Sequence, residues 1–266
     1  MQLNKMERIR INDNKNRLNS GEYLLDSFNR VAIETEVNSV CDILLTNITE
    51  NSSLSLVVSE GSKISLSLLL ENTVNNAEIN IEVKKDGFSE TYFADFSKNT
   101  INLKCVINLN EEGATAYCKL ASLASQKDIK NIDISINHNH AKTYGKVDNY
   151  GVCKDGARLT FLGTSYILKG SIKSKTQQNA KIMVFDKASN AIAKPILKID
   201  ENDIEASHAA VVGKINDEHL FYLTSRGVDE MAAKQLITYG YLKPILNGFK
   251  EEQIREHISS LIEGRM

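Results

Sequence analysis

From Tyr23 to about Leu197 the sequence is a succession of short apolar runs in which polar residues fall at every second position. That spacing constrains the fold more than anything else in the chain. Ile64-Ser65-Leu66-Ser67-Leu68, Ile79-Asn80-Ile81-Glu82-Val83, Ile101-Asn102-Leu103-Lys104-Cys105-Val106 and Ile132-Asp133-Ile134-Ser135-Ile136 all follow it. Successive side chains of an extended strand point to opposite faces, so each run buries one face and leaves the other wet. Asn, Ser, Asp and Gly separate the runs, and these residues supply the turns and left-handed positions that tight corners need. A sandwich or antiparallel barrel usually marks its hairpins with Asn-Gly or Asp-Gly, and here only Asp86-Gly87 and Asp155-Gly156 are clear cases. Polar corners joined by alternating runs suit a β-solenoid equally well, although no fixed repeat period is present. Alternation alone leaves solenoid and sandwich open.

Composition excludes several classes. The chain has 266 residues, 42% hydrophobic and 25% charged, enough to bury a sizeable core and too apolar for disorder. A net charge of -2 gives no electrostatic footprint for nucleic acid. No apolar run approaches the ~18 residues that would span a bilayer. The opening MQLNKMERIRIND is charged and lacks the apolar stretch of a signal peptide, so a cytoplasmic protein is expected. Cys41, Cys105, Cys118 and Cys153 are widely spaced with no CxxC pair, and are expected to be buried thiols.

Beyond Ile199 the pattern changes. Asn216 or Asp217 can cap a helix that ends at Gly227, and Asp229 can cap a second. Pro244 should kink or restart that helix. A third is predicted from Lys250 to Ile262, with Ile254, His257 or Ile258, and Leu261 on one face. The expected organisation is an N-terminal segment (1–20), a β core (21–205) and a C-terminal helical domain (206–266).

The junction carries a resemblance. Lys198-Ile199-Asp200, then Ser207-His208-Ala209-Ala210-Val211-Val212-Gly213-Lys214-Ile215, then Leu220-Phe221-Tyr222-Leu223-x-Ser225-Arg226-Gly227, is similar to the signature of the SufB/SufD family, the scaffold subunits of SUF iron–sulfur cluster assembly. Upstream, Phe161-x-Gly163, Thr176-Gln177-Gln178 and Ala193-x-Pro195-x-Leu197-x-Ile199 belong to the same likeness. The resemblance runs from about His138 to the C-terminus and is diffuse before that. It implies a right-handed parallel β-helix followed by a small helical domain. It also implies a non-catalytic scaffold that pairs through its β-helix edge with a SufB/SufD-like paralogue or with itself. The C-terminal helices would dock a SufC-type ABC ATPase. No GxxxxGK[ST] is present, so ATP hydrolysis would belong to that partner.

Site residues follow from the match. SufD-type chains read roughly Cys-Ser-His-Gly-Ala-Thr-Val-Gly here, and the histidine is the proposed site residue. This chain keeps His208 but has Ala206 in place of the cysteine, and Ala209 where SufB-type chains carry a glutamate. The resemblance therefore implies a SufD-like subunit with half of a site, whose thiolate and carboxylate ligands come from a partner. No tightly bound cofactor is expected, only iron or a transient iron–sulfur cluster at the subunit interface. Typical members carry an N-terminal helical region that is expected to be absent here, so its role is not carried over.

Other residues have readings of their own. His138 and His140 stand at i, i+2, which on a strand would put both rings on one face as a weak metal site that Cys153 could join. Phe221, Tyr222 and Arg226 are residue types that anchor interfaces, and so partner-binding candidates. The competing expectation places Phe221 in the core of the helical domain, with Tyr222 and Arg226 near the junction. Two other functions compete with the scaffold reading. One is a structural adaptor of the same complex with no iron role. The other is a β-helix carbohydrate-active enzyme, which the scarcity of arginine in the β core (Arg30 and Arg158) and the absence of Trp disfavour.

Overall fold

Each alternating run becomes one strand of a parallel solenoid, in a computed structural model that describes residues 9–11, 15–48, 51–71 and 76–266. One set of strands is β1 (Ile9–Arg10), β3 (Gly21–Asp26), β5 (Val40–Thr46), β7 (Lys63–Leu70), β9 (Phe88–Asp95), β11 (Thr115–Ala124), β13 (Tyr144–Cys153), β15 (Ser174–Val184) and β17 (Ile204–Lys214). The other is β2 (Lys15–Leu18), β4 (Arg30–Thr35), β6 (Asn51–Val58), β8 (Asn76–Val83), β10 (Thr100–Leu109), β12 (Ile129–His138), β14 (Arg158–Ile167) and β16 (Asn190–Ile199). Odd strands stack into one sheet and even strands into another, so the chain changes sheet at every corner. Neighbours within each sheet run parallel, as β10–β12 and β13–β15 do. A sandwich built on hairpins is thereby excluded. The first strands fall inside residues 1–20, the expected separate segment; residues 1–8 and 12–14 of it lie outside the described residues.

The lumen between the sheets is filled by the alternating apolar set. Leu66, Ile81, Phe93, Leu103, Ile134 and Phe161 are each at most 1% exposed. On the outer surface asparagines stack from rung to rung, Asn76 donating to Asn51 at 2.8 Å and Asn131 to Asn102 at 3.0 Å. Corners are made by residues in left-handed conformation. Asn38, Asp86, Lys142 and Lys173 have φ of 56°, 53°, 58° and 58°. At Gly113, also left-handed, an added Cβ would fall 2.1 Å from Asp86 Oδ1, so only glycine fits.

The helices are α1 (Asp217–Thr224), α2 (Glu230–Leu242), a 3-10 turn (Lys243–Gly248) and α3 (Glu252–Glu263). Asn216 caps α1 by accepting from the Glu218 and His219 N–H groups, and Asp229 caps α2 in the same way through Met231 and Ala232. Pro244 ends the α-helical path and begins the 3-10 turn. The boundary expected at 205/206 falls inside a strand, because β17 continues to Lys214 before the cap. The tail also folds back instead of extending the solenoid. Ile254, Ile258 and Ile262 of α3 share a core with Leu24, Leu44, Leu69, Phe96 and Leu123, which point outward from the odd-strand sheet. Polar clamps hold this packing. Arg265 donates to the Phe96 carbonyl at 2.7 Å and pairs with Asp128, and Lys250 bridges Glu22 at 2.8 Å and Asp42 at 3.2 Å.

Candidate functional site

The solenoid ends on two strands that each have a neighbour on one side only. β17 closes the odd-strand sheet and β16 the even-strand sheet. Ile192, Val211 and Val212 are 48%, 56% and 45% exposed there, and Val212 stands in register above Ile182, which is 1% exposed. An unpaired strand edge with exposed apolar side chains is a template for another chain. The two edges are not equivalent. β16 carries Pro195, which lacks the N–H a pairing strand uses, with Lys194 and Lys198 nearby. β17 is an 11-residue strand without proline.

His208 lies in the middle of β17, exposed, and in register with Gln178 of β15. Gln178 is buried in the lumen, so His208 faces the lumen mouth. The same face of β17 carries Ala206 and Ala210, both small, so the imidazole stands clear at the open end. An accessible neutral imidazole can ligate a metal or move a proton near neutral pH.

A second exposed surface lies on the helices. α1 has no buried residue. Phe221 is 73% and Tyr222 54% exposed, and Met231 and Leu236 of α2 are 66% and 55% exposed. The expectation that Phe221 packs inside the helical domain is therefore overturned. Helix α1 packs mainly against α2 and leaves Phe221 and Tyr222 exposed, while the buried core of the tail is supplied by the end of α2, the 3-10 turn and α3. The Arg226 guanidinium lies 4.3 Å from the centre of the Tyr222 ring, a cation–π contact that keeps the two together on this surface.

The remaining candidates are not brought together. β12 ends at His138, so His140 falls in the following turn, exposed, and the pair does not share a strand face. His138 is fully buried, with Nδ1 2.8 Å from Thr143 Oγ1, and burial lowers its pKa to about 4. Among the described residues, no group of three or more His, Cys, Asp and Glu side chains is placed to hold a metal ion. All four cysteines are buried free thiols. Burial pushes the Cys153 thiol up to about 11, and raises Cys41, Cys105 and Cys118 as well, which disfavours thiolate chemistry at neutral pH.

Similar proteins bear on both surfaces. The family described as SUF system FeS cluster assembly, SufBD core domain, matches residues 16–241. The iron–sulfur cluster assembly protein SufD of Bacillus subtilis is 31% identical over 159 residues, 60% of this chain and 36% of that protein. SufD of Escherichia coli is 25% identical over 158 residues, 59% of this chain and 37% of that protein. SufB of Bacillus subtilis is 22% identical over 207 residues, 76% of this chain and 44% of that protein. The chain thus matches little more than a third of the length of these SufD relatives. With nearly all of the solenoid, its open final rung and the tail as far as Tyr241 in α2 inside the matched span, the chain belongs to the SufB/SufD core family of iron–sulfur cluster assembly proteins.

Proposed function

We propose that this chain is a non-catalytic, SufD-like scaffold subunit of a SUF-type iron–sulfur cluster assembly complex. It pairs through β17 with a SufB/SufD-like subunit, a paralogue or a second copy, and docks a SufC-type ATPase through α1 and the first half of α2. The observation that carries the reading is His208, exposed on the lumen side of an unpaired strand edge. Pairing at that edge brings the imidazole to the interface, where iron or a nascent cluster is the cargo. Ala206 and Ala209 supply neither thiolate nor carboxylate, so the partner provides the other ligands. The exposed Phe221, Tyr222 and Arg226 supply the aromatic and guanidinium anchors typical of interface hot spots.

The test is iron and sulfide loading of the reconstituted complex with His208→Ala. Loading should fall at least tenfold while the subunits still copurify. Undiminished loading in an intact complex would leave an adaptor with no iron role. Phe221→Asp should abolish capture of the ATPase with little change in thermal stability, because the ring is already in water. Normal capture would remove α1 from the docking surface.

A further inference from the structure

Phe161-x-Gly163, Thr176-Gln177-Gln178 and Ala193-x-Pro195 are separated in sequence and take no part in the docking or ligation described above. In the fold the first two meet at one side chain, and the third lies in register beside Phe161 and Gly163. Gln178 crosses the lumen from β15 to the opposite sheet. Its Oε1 accepts from the Ser165 hydroxyl at 2.6 Å and the Ser165 N–H at 2.7 Å, and its Nε2 donates to the Gly163 carbonyl at 3.2 Å.

Gly163 O and Ser165 N flank Thr164, whose partner across the ladder is Ile196. In a parallel sheet, such a pair of main-chain groups normally bonds the facing residue of the next strand. The glutamine carboxamide therefore reaches main-chain groups of β14 from the lumen side. An added Cβ at Gly163 would lie 2.9 Å from the carboxamide and would displace it. Thr176 completes the arrangement by donating to Ser165 Oγ at 2.8 Å. Ser165, Thr176 and Gln178 are 0%, 3% and 3% exposed in a lumen that is otherwise mostly apolar. A well-packed apolar trio could fill this space at similar stability, since a satisfied buried polar group adds little net free energy. Satisfied polar networks do fix geometry.

His208 is the next residue above Gln178 on the same face, about 4.8 Å away across the ladder. We infer that Gln178 is a positioning residue for the His208 edge: its carboxamide ties β15 to β14 across the lumen one rung below the open end and sets the platform over which the imidazole is oriented. The inference rests on the reading of that edge as functional, but its test needs neither partner nor iron.

The experiment is NMR of the full chain, wild type against Gln178→Leu, following amide hydrogen exchange and the His208 ring signals. In the variant, amides of β14 and β15 near the lost bonds should exchange at least tenfold faster, and the His208 ring resonances should move. Exchange in β10 and β12 should not change. Ser165→Ala, which removes one partner of the carboxamide, should give the same effects in weaker form and serves if the leucine variant does not fold. Unchanged His208 signals in a folded variant would overturn the positioning role even if stability fell. If Gln178→Leu moves the His208 signals but His208→Ala loads iron normally, the positioning stands and the iron role falls.

Discussion

Acidification should weaken this fold through His138, and its surroundings set the size of the effect. The ring is fully buried at the end of β12. Nδ1 meets Thr143 Oγ1 at 2.8 Å, and that hydroxyl also lies 2.8 Å from Ser174 Oγ and 3.1 Å from the His140 carbonyl. Nε2 has no partner and faces Gly145, where an added Cβ would come within 2.9 Å of it. A proton on this ring would be desolvated with nothing to receive it, which lowers the imidazole from 6.5 to about 4. Because the folded pKa lies below the unfolded one, the unfolded chain binds the extra proton inside that window. The stability is therefore fully present above the unfolded value and is lost as pH falls toward the folded one. At ~1.4 kcal/mol per pKa unit, the loss between pH 7 and pH 5 is roughly 2 kcal/mol, out of about 3 in all. Urea unfolding of the wild type and His138→Asn at both pH values isolates the term, because groups common to both proteins cancel in the difference. The variant should lose about 2 kcal/mol less than the wild type on acidification, whatever its stability at pH 7. An equal loss in the two proteins would refute the reasoning, as would a His138 ring that titrates with an ordinary pKa by NMR.

Three further substitutions probe the packing. Gly248→Ala would place a Cβ 2.1 Å from the Tyr92 ring and should destabilise by about 1–3 kcal/mol in urea unfolding, since neither the 3-10 turn nor β9 can retreat freely. Arg265→Ala leaves Asp128 buried without its ion-pair partner and should cost about 3–5 kcal/mol, read as a lower urea midpoint with early loss of helical signal. Lys173→Gly, at φ 58°, should raise stability by a few tenths to about 1 kcal/mol in a thermal melt, because the left-handed corner strains a Cβ.

Strand positions were legible because lumen burial enforces alternation, and the caps at Asn216 and Asp229 because an N-cap needs a short side-chain acceptor at one position. The solenoid was not legible from spacing, and the reason is geometric. Ladder partners are 20 residues apart at the first well-formed rungs, where Val40 N–H bonds Ser20 Oγ, and 31 apart where Asn179 bonds Asp148. A coil that widens along its axis has no constant period. The folding back of the tail did leave a signal, in the unbroken runs Ile43-Leu44-Leu45 and Leu68-Leu69-Leu70. A strand apolar on both faces must be covered on both, and α3 with its neighbouring turn is the second cover. Phe221 was misplaced because an amphipathic pattern marks a face without saying what covers it. The His138–His140 pairing failed because i, i+2 geometry holds only while the strand continues, and β12 stops at the first of the two.

The arrangement of clamps predicts where the molecule can open. Every strong polar tie of the tail is made by the 3-10 turn, α3 or the residues beside them: Ser67 to Gly248, His257 to Glu71, Lys250 to Asp42 and Arg265 to Asp128. Among the described residues, α1 has no such tie to the solenoid and no buried residue, and β17 is paired along one edge only. In the middle of the solenoid, strands β9 to β13 are paired on both sides and enclose the fully buried Asp95–Lys130 ion pair at 2.8 Å. Local opening free energies track burial and the number of bonds that must break. Amides of β17 and α1 should therefore exchange at least a hundredfold faster than those of β11, with α3 close to β11 despite lying nearer the chain end. Uniform protection from β11 through α1 would show that the edge and the helical arm belong to the rigid body, and a partner would then meet a fixed surface instead of ordering one as it binds.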